Sequence, residues 1–191
     1  MITYHTRQFI RLFFSLMRDL YRKGKRWQLL IPMAIVALGL VIPQSMIIPV
    51  KNATVQDWNV NSYWAYPWGK SITHKGIDIF AARGTEVISS THGLVVWSGY
   101  QNVGGNAVIV LGPKWRFHYY AHLDSLDVFT LQPVGMGSVL GTVGNTGNAA
   151  GKPHHLHYTI STPLPHFWRW DDDIQGWQKM FYLRPDDYLR K

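Results

Sequence analysis

Two regimes of hydrophobic patterning divide the chain. From Leu29 to Val50 the sequence LLIPMAIVALGLVIPQSMIIPV is apolar and carries no charged residue. A helix that crosses a bilayer needs about 20 such residues, so the run predicts a transmembrane helix. Pro32 and Pro43 would break a soluble helix but are tolerated in membrane spans. Upstream, Arg7, Arg11, Arg18 and Arg22 fall on one helical face and Phe9, Phe13, Leu16 and Leu20 on another, the pattern of a helix lying on an anionic membrane surface. After Trp64 the apolar runs become short and glycine punctuates them. TEVISS (85–90), LVVWSG (94–99), NAVIVLG (106–112), RFHYYAHL (116–123), SVLGTVG (138–144) and HLHYTIS (155–161) are rich in Val, Ile and aromatics and bounded by turn residues, which predicts strands. No helical period is sustained after residue 64 until the last twenty residues. The expected organisation is a basic amphipathic segment (1–27), a transmembrane signal anchor (28–50), a polar linker (51–64), and a mainly β domain (65–191) built as a compact antiparallel sheet or sandwich.

Charge sharpens this division. The net charge is +8, which on its own invites a nucleic-acid reading. Residues 1–27 hold seven Lys/Arg against Asp19, whereas the rest of the chain holds 12 basic and 10 acidic residues. An excess confined to the flank of an apolar run points to membrane topology, with the N-terminus cytoplasmic and the β domain outside, and away from nucleic acid. The leader is long and no Ala-x-Ala site follows it, so an uncleaved single-pass anchor is expected over a cleaved signal peptide. There is no cysteine, so any metal must be held by His, Asp or Glu.

The candidate chemistry lies in three segments of the β domain. In HKGIDIF, His74 and Asp78 stand four apart across Gly76. An extended chain would separate their α-carbons by about 13 Å, so a bend at Gly76 is needed to bring both to one ion; alone, the pair is weak evidence. In GKPHHLHYTI (151–160), a strand projects His155 and His157 to one side and Leu156 to the core. YYAHL supplies His122 from another strand. A single histidine is usually a hydrogen-bonded, half-buried ring. Three β-like segments sharing several histidines and an aspartate make that reading strained.

In order and spacing, HKGIDI, YYAHL and GNTGNAAGKPHHLHY resemble the three signatures of the lysostaphin-type (LytM-like) zinc metallopeptidases that cleave peptidoglycan peptides. The likeness runs from about residue 66 to 162. It implies a peptidase domain with an active-site groove and one Zn2+ held by His74, Asp78 and His157. It makes His122 and His155 the catalytic pair and leaves His154 a bystander. It also implies a peptidoglycan peptide as substrate. Together with the anchor, this places the domain on the periplasmic or extracellular face of the cytoplasmic membrane. Two neutral imidazoles and a carboxylate leave zinc an open fourth position, where it acidifies water and polarises a carbonyl. Some relatives of the fold lack metal ligands and activate other wall hydrolases, and binding without turnover is a third reading. The complete ligand set favours the enzyme. The chain departs from the family at AYPWGKSITH (65–74), where Phe-Gly-x-Arg is common, and in a tryptophan-rich tail. There Trp168, Trp170 and Trp177 could pack over the sheet or stack on sugar rings, and core or edge packing is expected, as aromatics are usually buried.

Overall fold

The computed structural model describes residues 15, 17, 18 and 27–190, and they fall into two units, one ending at Val41 and one starting at Ile42. Of the basic segment 1–27, nearly all lies outside the described residues. The first unit contains helix α1, Trp27–Val41. Its apolar sequence is a good helix former apart from Pro32, and it stops before Pro43, which cannot extend a helix. Fifteen residues span about 22 Å at 1.5 Å each, less than the roughly 30 Å of a hydrocarbon core. No described helix is long and apolar enough to cross a membrane. In place of one continuous element over 28–50, the helix ends at Val41 and the residues beyond it belong to the β unit. The Ile47 N–H donates to Ser90 O (2.9 Å), the Ile88 N–H donates to Pro49 O (2.9 Å), and Val50 is buried in the core beside its bridge partner Val87.

The second unit is a β-sheet domain. Its strands are β1 (Ile77–Phe80), β2 (Glu86–Ile88), β3 (Gly93–Gln101), β4 (Gly105–Gly112), β5 (Arg116–Leu126), β6 (Pro133–Val134), β7 (Val139–Val143), β8 (His155–Ser161) and β9 (Tyr182–Leu183); a short α2 (Asp186–Leu189) follows. They form one antiparallel sheet in the order β1-β8-β5-β4-β3-β6, with β7 joining β2 to β5 and β9 lying on β8. All six expected strands are present, as a single connected sheet. Alternation along them makes two faces. Ile77, Ile79, Tyr120, Leu156, Tyr158 and Ile160 point into the core and are fully buried, while Asp78, Phe80, Tyr119, Ala121, His155 and His157 line a groove.

The expected linker 51–64 is also folded. Trp58 and Trp64 are buried, and Trp58 Nε1 donates to Asp186 Oδ1 (2.8 Å). The packing expectation for the tail is overturned: Trp168, Trp170 and Trp177 are 79%, 56% and 54% exposed. The aromatics that pack are the earlier ones, because the chain before β1 wraps back onto the β9 region, with Tyr63 Oη donating to Tyr182 O (2.8 Å).

A polar chain runs through the core at His118. Gln44 Nε2 donates to His118 Nε2 (3.0 Å), and His118 Nδ1 then donates to Tyr158 Oη (2.7 Å). Burial, with Arg116 adding to it, pushes His118 down to about 3 from an ordinary 6.5. A group that is neutral when folded but protonates in the unfolded chain favours unfolding as pH falls, so its contribution is full above pH 6.5 and declines towards 3. Denaturant melts of the metal-free protein over that range should show stability falling with acid, and the decline should be shallower in His118→Gln. Parallel declines would contradict the assignment.

Candidate metal centre

The sheet register assembles the site. β1 and β8 pair so that Asp78 stands opposite His157 and Phe80 opposite His155, and β8 and β5 pair so that His157 stands opposite Ala121. Cross-strand neighbours lie about 5 Å apart, so Asp78 and His157 meet without any special loop. His74 precedes β1 and is brought in by two backbone bonds to the preceding segment: Trp64 N–H donates to His74 O (2.7 Å), and His74 N–H donates to Ala65 O (3.0 Å). Gly76 sits at the bend expected from sequence and serves a second purpose. Its φ is not positive, but a Cβ there would collide with the Tyr158 carbonyl oxygen and lie 2.6 Å from Thr159 Oγ1. The glycine lets the start of β1 press against β8.

Three donor atoms converge. His74 Nε2 lies 3.1 Å from Asp78 Oδ1 and 3.0 Å from His157 Nδ1, and His157 Nδ1 lies 2.8 Å from Asp78 Oδ1. The other nitrogen of each ring is committed outward: His74 Nδ1–H donates to Ser62 O (2.9 Å), and His157 Nε2–H donates to Thr159 Oγ1 (3.0 Å). With those protons outward, three lone pairs face one another, an arrangement that a cation relieves. Zinc bonds of about 2.0–2.1 Å in tetrahedral geometry put ligand atoms about 3.3 Å apart, close to this triangle. The charge state fits too. Burial raises the Asp78 carboxyl, but the His157 and His74 imidazoles outweigh it and hold the group well below the usual carboxylate range. Burial also keeps His157 neutral despite Asp78. An ionised carboxylate beside a neutral His157 imidazole is the deprotonated state that metal binding requires. Among the described residues this is the group of donors suited to a metal ion.

His122 and His155 stand beside it. Their ring centroids are 5.1 Å apart, and His155 Nε2 is 4.0 Å from Asp78 Oδ1. His155 Nδ1–H donates to Pro153 O (2.7 Å) and His122 Nδ1–H to Thr146 O (2.9 Å), leaving both Nε2 atoms free. His122 reaches the groove through a break in β5. Strict alternation would send it after His118 and Tyr120 into the core. The β4–β5 register instead shifts between Asn106 and Val108, and His122 has φ +66°, a left-handed conformation uncommon outside glycine. The bulge returns its ring to the groove face, a known use of bulges beside active sites. Burial first, then the neighbouring His157, pushes His122 down to about 4, so it is neutral at neutral pH.

The structure therefore brings together all five residues singled out in the sequence, and His154 lies outside the donor set. Sequence reasoning missed three others. Trp68 stacks on His74 (centroids 4.1 Å, planes 20° apart). Thr159 had a signal, lying two residues beyond His157 on the same strand face. The Ser62 carbonyl had none. The whole site opens into a groove of about 790 Å3.

A two-histidine, one-carboxylate cluster on the face of an antiparallel sheet, with two further histidines in reach, defines a metallohydrolase-type centre. Residues 72–166 match peptidase family M23, and the chain carries an M23 peptidase domain homologous to the LytM- and lysostaphin-type peptidoglycan endopeptidases. The chain is 34% identical over 134 residues to the L-Ala–D-Glu endopeptidase of Bacillus subtilis, covering 60% of this chain and 41% of that protein. It is 34% identical over 90 residues to the peptidoglycan DD-endopeptidase ShyC of Vibrio cholerae, covering 47% of this chain and 20% of that one. It thus spans less than half the length of these relatives. The catalytic domain of lysostaphin from Staphylococcus simulans shares the fold, with TM-score 0.55 and 23% identity over 73% of this chain and all of that one.

Proposed function

We propose that the chain is a zinc-dependent endopeptidase that hydrolyses peptide cross-links of peptidoglycan, tethered by its N-terminal segment to the cytoplasmic membrane with the β domain outside. The observation that carries the enzymatic reading is the triangle of donor atoms, each ring oriented by an outward hydrogen bond and the Asp78 carboxylate ionised. The uncharged run and its basic flank support the tether. When bound, zinc polarises the scissile carbonyl and acidifies a water molecule. The protein's own groups do the rest. His74, Asp78 and His157 would hold the ion, and Ser62 O and Thr159 Oγ1 keep the rings from turning, a role typical of groups behind metal ligands. His122 and His155 each present Nε2 to the groove. Either can accept a proton from the attacking water at Nε2 and deliver it to the leaving amine, and the other can donate to the charge developing on the carbonyl oxygen only once it carries a second proton, at Nε2.

One experiment tests both halves. Membranes from cells producing the chain should release new amino termini from purified peptidoglycan, and chelation should stop this. Activity that survives chelation would contradict the metal reading. Activity confined to the soluble fraction would contradict the tether.

A further inference from the structure

Among the described residues, the groove contains a cation with no carboxylate paired to it. Lys75 follows the ligand His74 and lines the groove, half-buried. Its ammonium donates to Ser71 O (2.9 Å), Thr73 Oγ1 (3.1 Å) and Gln175 Oε1 (2.8 Å), all of them neutral acceptors. It also sits 5.7 Å from the Trp64 ring centroid and 6.0 Å from that of Tyr182. This treatment differs from that of Lys179, which lies over the same Trp64 ring but is paired with Asp171 and Asp173. The one carboxylate lining the groove is Asp78, already engaged by the histidines, whereas Lys152 on the groove wall is a second cation.

A partly desolvated ammonium is costly unless its charge is compensated, and holding one rigidly with neutral acceptors orients it for an anion that arrives with the ligand. We propose that Lys75 is a specificity determinant, selecting peptides that carry a free carboxylate close to the bond cut. The exposed Ser71 side of the network is where that carboxylate would replace a neutral acceptor. Charge-assisted hydrogen bonds of this kind are the stronger ones, and Lys152 adds to the same field. This inference rests on the peptidase reading and refines its substrate class.

The test uses the zinc-loaded full-length protein and two synthetic peptides identical except that one has a free carboxylate beside the scissile bond and the other a carboxamide. The carboxylate peptide should be cleaved with kcat/KM about tenfold higher, mostly through KM, the size expected for a hydrogen bond to a charged group. Lys75→Met should remove that preference by weakening the carboxylate peptide alone, and Lys75→Arg should retain it. Equal turnover of the two peptides by the parent, or an equal loss of both in Lys75→Met, overturns the proposal. If the parent cleaves neither, the peptidase reading fails, and equilibrium binding of the same pair to the metal-free full-length protein decides separately. Tighter binding of the carboxylate peptide, lost in Lys75→Met, upholds the role of Lys75, and equal binding overturns it.

Discussion

Replacing His157 with alanine should abolish zinc retention and lower peptide cleavage by about 10³-fold or more, the scale on which losing an electrostatic catalytic element acts. The reason is geometric. His157 Nδ1 is the vertex nearest Asp78 Oδ1, and without it two donors remain where a stable open site needs three. The side chain is attached to β8 between Leu156 and Tyr158, both fully buried, so truncation towards the groove leaves core packing intact. His154→Ala, three residues away but outside the donor set, should change zinc content and turnover less than twofold. Metal analysis of the purified variants, with cleavage of a defined peptide, checks both. Wild-type zinc content in His157→Ala would mean that the ion sits elsewhere.

The second large effect is on assembly of the site. Gly76→Ala should destabilise the domain by about 3 kcal/mol, the upper range for overpacking a tight contact, and weaken zinc binding as well. The added Cβ meets the Tyr158 carbonyl, and backbone cannot step aside as a flexible side chain can. The start of β1 must move off β8, separating His74 and Asp78 from His157. Gly84→Ala is the informative control. Gly84 has φ +84° with open space around its missing Cβ, so that change should cost only about 1–2 kcal/mol of left-handed strain and leave zinc affinity alone. Urea unfolding and competition with a chelating dye measure the two quantities.

The strand face shared by His155 and His157 follows from two-residue alternation, and the structure keeps it because Leu156 has nowhere to go but the core. The pairing of Asp78 with His157 was accessible only through the family resemblance, since register between residues 79 apart is settled by packing and not by local pattern. His122 shows the opposite case. Alternation along β5 places it in the core, and only the bulge and its positive φ turn it round. Gly76 stands at the expected bend, but its close approach to Tyr158 was not legible in the sequence. The apolar run from Leu29 read as one element because composition does not reveal where tertiary contacts take over. Pro43 ends the helix, and the backbone bonds of Ile47 and Pro49 draw the following residues into the sheet domain. The tail misled for a related reason: tryptophan count predicts burial only where a surface exists to bury against, and β9 was already covered by Tyr63 and Trp64.

The central claim is that one ion is held by three named atoms, and anomalous diffraction at the zinc edge from crystals of the metal-loaded protein tests it directly. The account predicts a single peak within about 2.2 Å of His74 Nε2, an Asp78 carboxylate oxygen and His157 Nδ1, with the opposite ring nitrogens still bonded to Ser62 O and Thr159 Oγ1. A peak coordinated by His122 or His155, or ligation through His157 Nε2, would contradict it.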